Sequence, residues 1–123
     1  MLPIPDDGEA DRVRVQHMRD AVGQVLDLSQ GRSRSALDDD PLYGLAMVRL
    51  IEIVGEAAKN VSVATTALAP DIPWRLLAGT RDRLAHAYFD VNFEIIWQII
   101  QADFPRLLPA LDRLLQKISG DLS

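Results

Sequence analysis

Between its prolines this chain is apolar at steps of three and four residues, and that spacing suits helices and little else. The prolines stand at 3, 5, 41, 70, 73, 105 and 109. From about Asp11 to Gln30, Val15, Met18, Val22, Val25 and Leu26 form one stripe, with Arg12, Arg14, Arg19, Asp20 and Asp27 between them. This is an amphipathic helix, and Gly31 is placed to end it with a C-terminal cap. A second helix starts at Asp40-Pro41. The carboxylate can cap free N–H groups, and Pro41 gives up an N–H that had no partner. It runs to about Asn60. Its apolar set, from Leu42 and Leu45 through Met47, Val48, Leu50, Ile51, Ile53 and Val54 to Ala57, wraps most of the way round, so burial on more than one side is expected. Gly55 within it suggests close approach of another backbone, since glycine costs a helix about 1 kcal/mol.

Residues 61–70 read as a loop. Val61-Ser62-Val63 alternates like a strand but is short and has no partner segment. Pro73 to Leu77 reads as a helical turn that stops near Gly79-Thr80, with Thr80 capping a third helix that runs to about Phe89. Asn92 can cap a last long helix carrying Phe93, Ile96, Trp97, Ile100, Phe104, Leu107, Leu108, Leu111, Leu115 and Ile118. Pro105 should kink or break it. The expected architecture is all-α, an up-down bundle of four to five helices with short connections. The expected organisation is a flexible N-terminus over 1–10, one helical domain over 11–118 and a C-terminal tail over 119–123.

Composition excludes several classes. The chain has 123 residues and 48% hydrophobic content, enough for one domain with a core and too apolar for disorder. Without cysteine it is not a disulfide scaffold, and a reducing cytoplasm is the expected location. No apolar run reaches the ~18 residues of a membrane span, and the N-terminus lacks the basic and apolar regions of a signal peptide. The net charge of −5 argues against coating nucleic acid by bulk electrostatics. The acid is uneven. Residues 1–40 hold nine Asp/Glu against five Arg, whereas 41–123 hold nine against eight Lys/Arg, so an anion site is expected in the later part.

There is no Gly-rich phosphate loop, and the two histidines, His17 and His86, show no metal-ligand spacing. No metal or cofactor is expected. Asp38-Asp39-Asp40 is most simply a helix N-terminus preference, with a divalent-ion site as a second reading. The dense segment is Arg81-Asp82-Arg83-Leu84-Ala85-His86-Ala87-Tyr88. On a straight helix at ~100° per residue, Asp82 and His86 share a face and Arg81 and Tyr88 share another. Arg81 and His86 stand ~140° apart. They converge only if the first turn is distorted or a second copy of the chain brings them together. With a helix starting at Thr80, Arg81 would lie near an N-terminus that favours phosphate. An Asp–His pair at this spacing is also a common helix-face contact, and an aromatic such as Tyr88 commonly sits at a core edge with its hydroxyl in water.

Arg81-x4-His86-x-Tyr88 resembles the signature of HEPN-domain proteins, in particular the HepT-like toxins of bacterial toxin–antitoxin pairs. The surroundings follow the same order over roughly residues 11–118. His17-Met18 comes first, then the Gly55-Glu56-Ala57 helix, Trp74, the Arg-His-Tyr segment, Asp90-Val91 and Trp97. One position departs: the family usually has Asn after the arginine, where this chain has Asp82, an acid that repels RNA slightly. The resemblance implies a HEPN-like homodimer and a metal-independent endoribonuclease of a type VII-like toxin–antitoxin pair. His86 would act as general base or acid, Arg81 would bind phosphate, Asp82 would orient His86, and Arg83 would add RNA affinity or be a solvated surface charge. It also implies a minimal nucleotidyltransferase antitoxin as partner, which would use ATP to add AMP to Tyr88. The alternative is a non-catalytic HEPN helical module that binds a nucleotidyltransferase.

Overall fold

The computed structural model describes residues 7–85 and 92–119, and every regular element among them is helical. The elements are α1 (Asp7–Ser29), α2 (Ala36–Asp39), α3 (Pro41–Lys59), α4 (Val63–Thr66), α5 (Trp74–Ala85), α6 (Phe93–Gln98), a π-turn (Ile99–Asp103) and α7 (Phe104–Ser119). Four long helices make the bundle. α1 packs on α3, α3 packs on α5, and α7 returns to α1. One-turn helices α2 and α4 fill the connections.

The core follows the sequence periodicity closely. Val15, Met18, Val22 and Val25 of α1 are fully buried, as are Met47, Ile51 and Val54 of α3 and Phe104, Leu111 and Leu114 of α7. The α1 and α3 sets step by three and four, as does the α7 set once the buried Leu107 is included, so one face of each helix meets the others. Burial of each such side chain contributes on the order of 1.5–3 kcal/mol. α3 packs against both α1 and α5, the burial on more than one side that its apolar set predicts. It is not buried all round: Leu42 and Leu45 are 78% and 67% exposed, and Val48, Leu50 and Ile53 are only half-buried. α1, α5 and the one-turn α2 pack on this helix, and none of them covers Leu42 or Leu45 among the described residues.

The helix ends show the capping chemistry read from the sequence. Gly31, at φ +73°, takes the left-handed conformation that ends α1, and the Arg32 N–H donates to Ser29 O. The Asp40 side chain accepts from Tyr43 N at 3.3 Å, with Pro41 at the first helical position. The Tyr43 hydroxyl is buried against Ser29 Oγ at 2.7 Å, and the Arg32 guanidinium lies 4.4 Å from the Tyr43 ring centre. Asn92 caps α6 through Glu94 N and Ile95 N.

Three readings are corrected. α1 starts at Asp7, one turn before Asp11. The 61–70 stretch contains α4, capped by Ser62, which accepts from Thr65 N, so Val63 begins a helical turn and not a strand. Finally, Gly79-Thr80 does not break the chain into two helices: α5 runs through it. Thr80 is buried and its hydroxyl donates to Leu76 O at 2.8 Å, an interior back-bond that replaces the expected N-cap. At Pro105 the last helix widens. Phe104 N–H reaches back five residues to Ile99 O, and this π-turn places the proline in the first turn of α7, where its missing N–H costs little.

Candidate functional site

α5 carries Arg81, Asp82 and Arg83, the first residues of the dense charged segment, and the preceding connection fixes where α5 enters the bundle. At its first residue, the Trp74 indole N–H donates to Ala69 O at 3.0 Å and the Trp74 backbone N–H to Ile72 O at 2.8 Å. Lys117 of α7 donates to Leu68 O, and Arg113 of α7 lies 3.7 Å from Asp71. At the other end of the connection, the buried Asp11 of α1 accepts from Ser62 N at 3.0 Å, from the Ser62 hydroxyl, and from the Thr65 hydroxyl at 2.6 Å. Burial works against ionisation of Asp11. The hydrogen bonds from Ser62 and Thr65, with a smaller attraction from Arg14, outweigh it and hold the carboxyl below its ordinary value. The segment between α3 and α5 is therefore tied to both α1 and α7.

Along α5, Leu77, Thr80 and Leu84 are buried. Asp82 falls on the opposite side and is exposed. Arg81 and Arg83 lie in the second half of the helix, so Arg81 is not at the helix N-terminus and the favourable N-terminal field does not reach it. His86 and Tyr88 lie outside the described residues, as do the expected Asp82–His86 contact and Asp90-Val91. The described part of the helix thus sets the backbone of Arg81, Asp82 and Arg83 in one α-helical stretch. The meeting of Arg81 with His86 is an expectation from sequence.

The other marked residues are placed as follows. Gly55 is buried and lines a cleft bordered by α5 and α7. Glu56 is exposed, and with Arg14, His17 and Asn60 it borders a shallow groove between α1 and α3. Met18 is fully buried, and Trp97 packs against the core. Among the described residues, no group of three or more His, Cys, Asp or Glu is arranged to hold a metal ion. Of the acidic run, Asp40 caps α3, with its carboxyl held below its ordinary value by the Tyr43 N–H and by Arg32, while Asp38 pairs with Arg34. No described helix is long and apolar enough to cross a membrane. Sequence reasoning missed the Asp11 anchor, because an acid early in an amphipathic helix looks like ordinary solvent-facing charge. It also missed the cleft beside α5, because a gap between helices leaves no periodic signal.

Comparison with known proteins places the chain. The family model described as ribonuclease HepT-like matches residues 18–117. A Thermococcus cleftensis protein named "Probable ribonuclease HepT" is 42% identical over 97 residues, 76% of this chain and 88% of that one. A protein of Caldanaerobacter subterraneus named as a candidate RNase is 35% identical over 106 residues, 86% of this chain and 95% of that one. A similarly named Methanocaldococcus jannaschii protein is 29% identical over 107 residues, 87% of this chain and 85% of its own. No solved structure matches the chain at a significant level. With α3, α5, the second half of α1 and nearly all of α7 inside the matched span, the chain belongs to the HepT-like ribonuclease family.

Proposed function

We propose that this protein is a metal-independent endoribonuclease that acts as the toxin of a toxin–antitoxin pair. The observation that carries this reading is the family match over 18–117, which contains the whole Arg81-x4-His86-x-Tyr88 motif. The ribose 2′-OH attacks the adjacent phosphorus and the 5′-oxygen leaves. His86 takes the proton of the attacking hydroxyl or supplies one to the leaving oxygen, a role suited to an imidazole, which can both accept and donate a proton. Arg81 binds the phosphate and offsets the charge that develops on it. Asp82, four residues ahead of His86 in the chain, orients it. Arg83 adds affinity for the RNA backbone.

Two copies of the chain form the working unit. Arg81 and His86 do not converge on one straight helix, and a homodimer brings the motifs of both chains together. The exposed Leu42 and Leu45 support such an association, since adjacent large apolar side chains in solvent mark a surface that is covered in the functional state. The antitoxin is a minimal nucleotidyltransferase. The Tyr88 hydroxyl attacks the α-phosphorus of ATP, pyrophosphate leaves, and the adenylate left on the ring sets negative charge and bulk where RNA must lie.

Expression in a bacterial host tests the reading. The wild type is expected to arrest growth and His86→Ala to be harmless while remaining folded. Growth arrest by folded His86→Ala would contradict the nuclease mechanism and favour a helical binding module. Intact-mass spectrometry of the protein co-expressed with its partner should show additions of AMP that Tyr88→Phe abolishes. AMP on another residue, or none, would contradict the proposed control.

A further inference from the structure

The bundle is open on one side. α5 packs on α3 and α7 packs on α1, and between α5 and α7 lies a cavity of about 390 Å³, within the range of small-ligand pockets. Its floor is apolar: Ile51, Val54 and Phe104 are each only 1% exposed, and Gly55 adds no side chain there. A concave slot with an apolar floor and a polar rim is the kind of setting in which small ligands bind.

The mouth is polar. Arg113 is engaged with Asp71. Arg106 and Asp103, three residues apart where the π-turn meets α7, are both exposed, and neither side chain makes an ion pair or hydrogen bond among the described residues. Facing them from α5 is Leu76, itself 50% exposed. A ligand that suits this site has a flat apolar body for the slot, an anionic group for Arg106 and an N–H donor for Asp103. An unstacked nucleotide carries all three: a base with an apolar face, a phosphate, and on every base but uracil an exocyclic amine that a carboxylate can accept from. Position matters as well. Thr80 lines the cleft, and Arg81 is the next residue in the chain.

Resting on the ribonuclease reading, we propose that the cleft between α5 and α7 is a base-selecting subsite for the RNA. It takes one unstacked, amine-bearing base, with Arg106 on the flanking phosphate and Asp103 on the amine. The strand then runs from this subsite onto the Arg81 segment of the same helix.

The test uses short single-stranded RNAs that differ at one base near the scissile phosphate. The wild type should cleave those carrying adenine, cytosine or guanine at that position about tenfold better than those carrying uracil, as one good polar contact allows. Arg106→Ala should raise KM several-fold with kcat little changed, Asp103→Asn should flatten the base preference, and Leu76→Trp should do both by filling the slot. Arg12→Ala, on the exposed side of α1, should change nothing. Because Leu76, Asp103 and Arg106 are exposed, thermal melts should find all three variants folded. A second readout needs no cleavage: methyl NMR of the wild type titrated with cytidine 5′-monophosphate should shift cleft methyl groups, and Leu76→Trp should abolish the shifts. If the wild type cleaves RNA but the three variants keep its KM and base preference, the subsite is refuted and the ribonuclease reading stands. If the wild type cleaves no RNA, the ribonuclease reading fails. The titration then decides the subsite alone: shifts lost in Leu76→Trp support it, and their absence overturns it.

Discussion

Asp11 shows how one side chain holds the approach to the candidate site. Its carboxylate is buried, and it satisfies two hydroxyl donors and one backbone N–H on the connection that leads to α5. Replacing it leaves those donors without a partner, and a buried unsatisfied donor costs about 1–3 kcal/mol. Asp11→Ala should therefore lower the denaturant midpoint with an unchanged slope, at a cost of about 2 kcal/mol. The pH dependence follows from the same bonds. The carboxyl is depressed in the folded state below its ordinary 3.8. The unfolded chain therefore binds the proton more readily, and the stabilisation is complete above the ordinary value and lost as pH falls through the folded one. Acid melts of the wild type should lose stability below about pH 4, and Asp11→Asn should make that slope shallower. An unchanged acid limb in Asp11→Asn would refute this assignment.

At the scale of elements, α5 is where sequence and structure part most instructively. Gly79-Thr80 carries the usual marks of a helix stop followed by a cap, yet the helix continues. Gly79 costs it only about 1 kcal/mol, Leu77 and Leu84 are buried on either side, and Thr80 satisfies its hydroxyl within the helix. Tertiary burial outweighed a weak local signal. A Cβ at Gly79 would meet nothing within 4 Å. Gly79→Ala should accordingly stabilise the protein by about 0.5–1 kcal/mol, read as a Tm rise of a few degrees. A fall in Tm would mean that α5 needs its glycine. Where local chemistry is strong, the sequence was legible: Asp40-Pro41, Asn92 and Gly31 all act at the ends of the helices they were expected to bound. The core stripes of α1 and α7 were equally plain, because one-sided burial writes a period of 3.6 into the chain. The candidate site was legible only as a motif. Arg81, Asp82 and Arg83 were correctly put on a helix, but their distance from its start depends on where α5 begins, and propensity at Gly79-Thr80 misplaced that start.

At the scale of the whole molecule, the exposed apolar surface of α3 and the split of Arg81 from His86 on a straight helix both lead to the proposed homodimer. Leu42 and Leu45 contribute little to the single chain, since both lie in solvent. Leu42→Asp/Leu45→Asp should leave the helical spectrum intact and convert a dimer to a monomer by light scattering; a dimer that survives both changes would move the interface elsewhere. The net charge of −5 also requires that any RNA be held by a few local cations and not by overall attraction. The most direct test of the central claim is cleavage of single-stranded RNA by purified protein in excess EDTA, wild type beside His86→Ala. The account predicts cleavage that chelation does not affect, together with a loss of about 100-fold or more when the general acid–base group is removed. Activity abolished by EDTA, or undiminished in His86→Ala, would contradict it.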